Sequence, residues 1–300
     1  MSNSSTLQPA SQEHNFILFA QHGWADTYHD IAYLAKALAS EQTIVYTPDL
    51  GWTNTWLTIA PLIDKVEKIA LEAIAAYPDL PLRIVGHSMG GLIWLEVLNR
   101  HPEWLTKVHS LVLVGSPLGG SDLGRLFDPF GWFPLIARDL GTNRRPIAEA
   151  IAAQIPTASI VGDIGNNTDG TVPIGCSQFA HANFFCLDGL RHPTLKNHPR
   201  VATTIQSFWQ NPQIAPRQTD TASQLIAKLR SLDLTETDFQ NFSKAKLIKT
   251  YPDQVKLWQW QSALQITHVF VSISDKYQDK CIYSAYAGWR DRKKLAEYLT

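Results

Sequence analysis

Ser88 sits in the pentad Gly86-His87-Ser88-Met89-Gly90, with a glycine two positions to either side. A serine hydroxyl is a poor nucleophile near neutral pH. It needs a base to take its proton and a third group to orient that base. The glycine spacing suits a sharp turn that strains the serine backbone and pushes its oxygen out above a sheet. Gly86 and Gly90 leave room where a Cβ would collide with neighbouring backbone, and Gly91 adds a further small residue. A tight turn without chemistry is the alternative. The apolar "LRIV" before the turn and the helical pattern "GLIWLEVL" after it favour a nucleophile.

A nucleophile of this kind needs a rigid scaffold, and the surrounding pattern predicts one. Short apolar runs occur at 16–22, 43–49, 82–88, 109–115, 157–163 and 182–188. Most are nearly continuous in apolar character, as parallel strands buried on both faces are. Helical patterns at 28–40, 58–77, 89–100 and 199–209 lie between and after them. In 58–77, Ile59, Leu62, Ile63, Val66, Ile69, Ala73, Ile74 and Tyr77 form one apolar stripe. The alternation predicts an α/β fold, a mostly parallel central sheet with helices on both faces. Ligands in such sheets gather at the carboxyl ends of the strands.

The chain has 300 residues, 45% hydrophobic and 18% charged, with a formal net charge of −1. That suits a globular chain with a sizeable core and argues against a whole-chain attraction to nucleic acid or an anionic membrane. The opening "MSNSSTLQPASQEHN" lacks both a basic and an apolar signal region, so residues 1–15 read as a disordered tail. No stretch approaches a membrane-spanning length. Cys176, Cys186 and Cys281 lack paired spacing, and the ten histidines show no H-E-x-x-H pattern. No metal, cofactor or disulfide framework is expected, and a cytoplasmic protein is the default.

Two segments break the alternation. Residues 118–156 form a long excursion containing "SDLGRLFDPFGWFPLIARDL", too apolar for a solvated loop. It reads as a lid over an acyl-binding cleft, with Phe127, Phe130, Trp132 and Phe133 as possible acyl contacts, or as ordinary packing. Residues 16–210 then make a catalytic domain and 211–219 a Pro-containing linker. Residues 220–300 make a small α+β module with a helix, a further short helical segment, an antiparallel hairpin and a closing helix from about 290. Its aromatics, Trp258, Trp260, Tyr283, Tyr286 and Trp289, read as core packing on one strand face. No chemistry in the module identifies a role or a protein partner.

Four separated matches resemble the α/β-hydrolase family, in particular its lipases and esterases. They are "FAQHGWADT" after the first strand, the elbow itself, "GSPLGGSDL" after the run at 109–115, and "DGTVP" followed by "RHPTLKNHPRV". The resemblance spans roughly residues 15–210 and leaves out the C-terminal segment. In this family the triad runs Ser, acid, His along the chain. The family pattern favours Asp169 as the acid over Asp163, which sits nearer the strand end and suits a loop cap. His192 falls in the loop expected to overhang the elbow, whereas His198 precedes Pro199 at a helix start. The oxyanion amides are expected from Met89, at the amino end of the helix, and, by resemblance, from Trp24 after His22-Gly23. His87 is expected only to pack.

The resemblance thus implies a serine hydrolase of carboxylic esters acting on a small-molecule or lipid acyl substrate through an acyl-enzyme on Ser88. Thioester cleavage or acyl transfer would use the same residues. A hydrolase-fold binding protein with an inert site is the alternative from another class.

Overall fold

The computed structural model describes residues 15–120, 135–232, 234–274, 278–288 and 292–299. Six strands form one sheet: β1 (Phe16–Gln21), β2 (Thr43–Tyr46), β3 (Leu82–His87), β4 (Val108–Val114), β5 (Thr157–Asp163) and β6 (Ala182–Asp188). All neighbours are parallel, in the order β2-β1-β3-β4-β5-β6. The predicted run at 43–49 stops at Tyr46. Pro48 has no amide to donate to a ladder, and Asp49 turns the chain by accepting from Gly51 N at 3.0 Å.

Period-two alternation divides the core into two layers. Ile17 and Phe19 of β1 face one way, joined by Ile84, Leu111 and Leu113. Over them pack α2 (Ala60–Ala76) and α3 (Met89–Arg100). Leu18 and Ala20 face the other way with Val85, Val112 and Ile160, under α1 (Tyr28–Leu38) and the helix Pro199–Gln210. Of the expected stripe of α2, Ile59, Leu62, Ile63, Val66 and Ala73 are buried and Ile69, Ile74 and Tyr77 pack half-buried against them, while Ala70 joins the buried face unforeseen.

The excursion after β4 is partly ordinary core. Its described portion forms α4 (Leu135–Leu140) and α5 (Arg145–Ala152). Ile136, Ala148 and Ile151 are buried in the same cluster as α3. Asp139 accepts from Ile59 N at 2.8 Å, and Arg144 pairs with Glu96 at 2.7 Å. The proposed acyl contacts Phe127, Phe130, Trp132 and Phe133 lie outside the described residues.

The helix Pro199–Gln210 is α6, and the chain then runs extended along the mouth of β6. Ala215 N donates to His181 O at 3.2 Å, His181 Nδ1 to Ala215 O at 3.2 Å, and Asn183 Nδ2 to Gln213 O at 2.7 Å. The predicted linker is therefore pinned to the first sheet. Beyond it lie α7 (Thr221–Arg230), β7 (Thr235–Glu236), β8 (Lys246–Thr250), β9 (Val255–Gln261), β10 (Thr267–Ser274), β11 (Asp279–Ala287) and α8 (Arg292–Leu299).

These strands form a separate antiparallel sheet, ordered β7-β11-β10-β9-β8, that contains the expected hairpin β10–β11. The second short helix expected there is instead β7 followed by a 3₁₀ turn at Phe242–Lys244. One face carries Val255, Leu257, Val269, Val271, Tyr283 and Ala285 under α7 and α8. The register places Trp258 beside Phe270, and Trp260 and Tyr286 on either side of His268. Phe242 meets both Trp258 and Phe270, at 5.5 and 5.6 Å between ring centroids. Tyr283 thus faces the opposite side from Trp258, Trp260 and Tyr286, so these aromatics are divided between two faces, and Trp289 lies outside the described residues.

Candidate active site

Ser88 stands between β3 and α3 with φ 55° and ψ −126°, a conformation that side chains rarely adopt. Such a residue costs on the order of 1–3 kcal/mol and persists only where its surroundings hold it. Here Ser88 N donates to Val114 O at 2.8 Å, bolting the turn to β4. A Cβ on Gly86 would lie 2.5 Å from Gly91 Cα, and one on Gly90 would run into the backbone carbonyl of Gln21. Gly90→Ala should therefore lower stability by about 1–3 kcal/mol or more, because the obstruction is backbone and cannot turn aside. A urea midpoint equal to wild type would show that the elbow has slack.

The loop after β1 is held against this turn. A Cβ on Gly23 would come within 2.8 Å of Ser88 Cβ and 3.2 Å of Met89 N. His22 is buried, its Nδ1–H donating to Gly23 O at 3.1 Å while Nε2 accepts from Leu50 N at 3.0 Å. Burial lowers its pKa, which keeps the ring neutral and able to accept. Ala25, at φ 52°, donates its amide to Thr55 Oγ1 at 3.1 Å. The loop is thus tied to the segment after β2. Trp24 sits at its tip, 37% exposed, with its ring edge on Trp56 at 4.5 Å. Trp52, half exposed, extends this rim at 5.4 Å from Trp56.

The other two groups arrive from the far strands. His192 opens a 3₁₀ turn after β6, and its Nε2 accepts from Ser88 Oγ at 3.0 Å. Its Nδ1–H donates to Asp169 Oδ2 at 2.6 Å. Asp169 lies in the loop after β5 and is 2% exposed. Its Oδ1 accepts from Thr171 N at 2.9 Å and Val172 N at 2.7 Å, so the turn fixes which oxygen faces the imidazole. The backbone completes the pairing, with His192 N donating to Asp169 O at 3.0 Å.

The rival residues go elsewhere. Asp163 accepts from Gly165 N at 2.8 Å as a loop cap. His198 caps α6, accepting from Arg200 N at 3.1 Å. Asp163 also brings an oxygen within 4.8 Å of ligand atoms of Cys186 and Asp188. Burial, then the charges of Asp163 and Asp188, push the Cys186 thiol up to about 11, away from the thiolate a metal ion needs.

Three supporting contacts are absent from the sequence reading. His87 does more than pack: its Nε2–H donates to His192 O at 3.2 Å, with the rings 4.9 Å apart. Burial first, and the neighbouring His192 second, hold its pKa well below the usual value. Lys196 joins Asp26 at 2.8 Å and Asp30 at 2.7 Å, tying the His192 loop to the loop after β1. Burial works against its charge, yet the two carboxylates raise its pKa. Trp52 and Trp56 complete the third, the aromatic rim. Only the "GWTNTW" composition could have signalled it.

A family model described as serine aminopeptidase, S33, matches residues 12–138. A lipase of Bacillus licheniformis in its mature form shares the fold with a TM-score of 0.53 at 15% identity, covering 71% of this chain and 96% of that one. A serine hydrolase from Cycloclasticus zankles matches at 16% identity, over 67% and 91% of the two chains, with a TM-score of 0.49. A bromoperoxidase from Bacillus anthracis gives 15%, 66% and 92%, also at 0.49. A search of curated proteins gives no significant match. The sheet and the likeness to the lipase show the fold of the α/β hydrolases, and the family match covers less than half of the chain. Among the described residues, no helix is long and apolar enough to cross a membrane.

Proposed function

We propose that this protein is a hydrolase that cleaves carboxylic esters through an acyl-enzyme on Ser88, with His192 as base and Asp169 as the acid that orients it. One observation carries the reading. Ser88 Oγ, His192 and Asp169 form an unbroken hydrogen-bonded chain of 3.0 and 2.6 Å at the head of a strained elbow. In this reading the Ser88 oxygen attacks the ester carbonyl while His192 Nε2 takes its proton. The imidazolium, held by Asp169, then returns a proton to the leaving alcohol. In this reading the amides of Met89, at a helix amino end, and Trp24 stabilise the oxygen that gains charge. Water, deprotonated by the same imidazole, attacks the acyl-serine and releases the acid. The rim of Trp24, Trp52 and Trp56 favours esters with an apolar acyl or alcohol group.

A fluorophosphonate probe tests the reading directly. Wild type should label at Ser88 and hydrolyse model esters, and Ser88→Ala should do neither. An unlabelled, inactive wild type would favour an inert binding protein. A series of acyl lengths on one alcohol would then define the acyl preference.

A further inference from the structure

The C-terminal unit has no chemistry of its own in the mechanism, yet it touches the first unit at a telling place. Asp169 sits in the connection from β5 to the turn at Ile174–Ser177. The backbone hydrogen bonds between Ile164 and Thr168, Asn167 and Ile174, and Asp169 and Val172 close this connection on itself. Asn166 and Asn167 both have positive φ, at 65° and 64°. These bonds orient the carboxylate within the loop, while contacts from outside set where the loop as a whole stands relative to His192.

The C-terminal unit supplies such contacts on both sides of Asp169. On the early side, Phe239 N donates to Asn166 O at 3.0 Å. On the late side, Arg230 Nη2 donates to Gly175 O at 3.1 Å, while Arg230 Nε pairs with Glu236 Oε1 at 2.7 Å. Glu236 Oε2 accepts from Arg145 Nη2 at 2.9 Å, and that same nitrogen lies 3.1 Å from Gly175 O. Arg145 Nε donates to Gln178 O at 3.0 Å, so the turn is gripped at two carbonyls. The Glu236 side chain is 3% exposed, and a Cβ on Gly175 would lie 3.1 Å from its Oε2.

We propose that the C-terminal unit is a clamp on the loop that carries Asp169, and that Arg230 and Glu236 are positioning residues for that acid. The inference rests on the ester-hydrolase reading of the site. A buried Arg–Glu–Arg cluster is a poor way to add stability, because desolvation of the charges offsets much of their attraction. It does impose direction, since each guanidinium must aim its donors. Here the donors aim at the carbonyl of Gly175, six residues beyond Asp169. Phe239 works three residues before it. Withdrawing either contact loosens one end of a segment that is otherwise held by its own bonds, by His192 at Asp169 and by Ser116, Gly119 and Ser159 around the turn. Catalysis is sensitive to such release, since displacing a catalytic group by about 1 Å can cost on the order of 100-fold.

The test uses the full chain with Arg230→Met and Arg230→Lys. Arg230→Met leaves Glu236 paired with Arg145 and removes the second donor to Gly175. Hydrogen exchange in peptides covering 164–178 should accelerate well below the melting temperature, and fluorophosphonate labelling of Ser88 should slow by about tenfold. The far-downfield proton resonance of the imidazole N–H held by Asp169 should broaden. Arg230→Lys keeps the charge beside Glu236 without the fork, and should label at an intermediate rate. A lowered melting temperature with wild-type labelling and exchange would make the cluster a tether only, and overturn the proposal. If Arg230→Met does not fold, Arg230→Lys decides: slowed labelling supports the clamp, and the wild-type rate overturns it. If wild type itself does not label, the ester-hydrolase reading fails, and the exchange measurement alone judges the clamp.

Discussion

His192→Ala should lower ester hydrolysis by about four to six orders of magnitude, leaving only what binding and the oxyanion amides supply. The hydrogen-bond pattern sets the expectation. Nε2 is the acceptor for Ser88 Oγ, and Nδ1 is committed to Asp169, so no other group in this pattern can take the serine proton. His87, with its ring 4.9 Å away, does not substitute. Its Nε2–H is engaged by the carbonyl of residue 192, and its lowered pKa makes it a weak base. His198→Ala is the control. It removes the acceptor for Arg200 N, so the α6 cap should lose about 0.5–2 kcal/mol while turnover stays near wild type. Rates on one model ester, with melting curves for both variants, check this. An active His192→Ala protein beside an inactive His198→Ala protein would reverse the assignment.

Asp169→Asn should keep the fold and lose about 10⁴-fold in kcat. Two backbone amides, of Thr171 and Val172, already donate to Oδ1. An asparagine will keep its carbonyl oxygen toward them and turn its NH₂ toward His192. The imidazole must then accept at Nδ1 and carry its hydrogen on Nε2, where it can no longer take the proton from Ser88. The loss thus follows from tautomer as well as from charge. Asp163→Asn should be mild, since an amide oxygen can still accept from Gly165 N. A folded Asp169→Asn enzyme turning over near the wild-type rate would remove Asp169 from the triad.

The parts of this molecule legible in its sequence are those whose constraints are local. The elbow shows because Gly86 and Gly90 answer to atoms a few residues or one strand away, and such glycines cannot be exchanged quietly. The parallel strands show because burial on both faces makes them continuously apolar. Asp169 and Asp163 could not be separated by residue pattern alone. Asp163 ends the run of β5 and Asp169 comes six residues later, and what distinguishes them is a turn closed by the bridge of Thr168 with Pro173. β8 went unread because it is an edge strand, exposed along its whole length, with lysines where a core strand would carry apolar side chains. The cluster of Arg145, Arg230 and Glu236 is least legible of all. Charged residues in a helical pattern look like solvated surface, and only the docking of two units buries them.

The strand order also bears on how the chain meets its solvent while being made. From β3 onward the sheet grows outward in the order of synthesis, β3-β4-β5-β6, so each new strand covers the bare edge left by the one before. The serine is in hand early, while the proposed acid and base arrive on the last two connections, with His192 104 positions later. A nascent chain halted between β5 and β6 would present an open, apolar sheet margin to the ribosome's surroundings, with the elbow still lacking the histidine proposed as its proton acceptor. Such a chain is chemically silent and sticky at once. For this protein the hazardous interval of biosynthesis is therefore one in which it needs shielding from its neighbours rather than restraint of its chemistry.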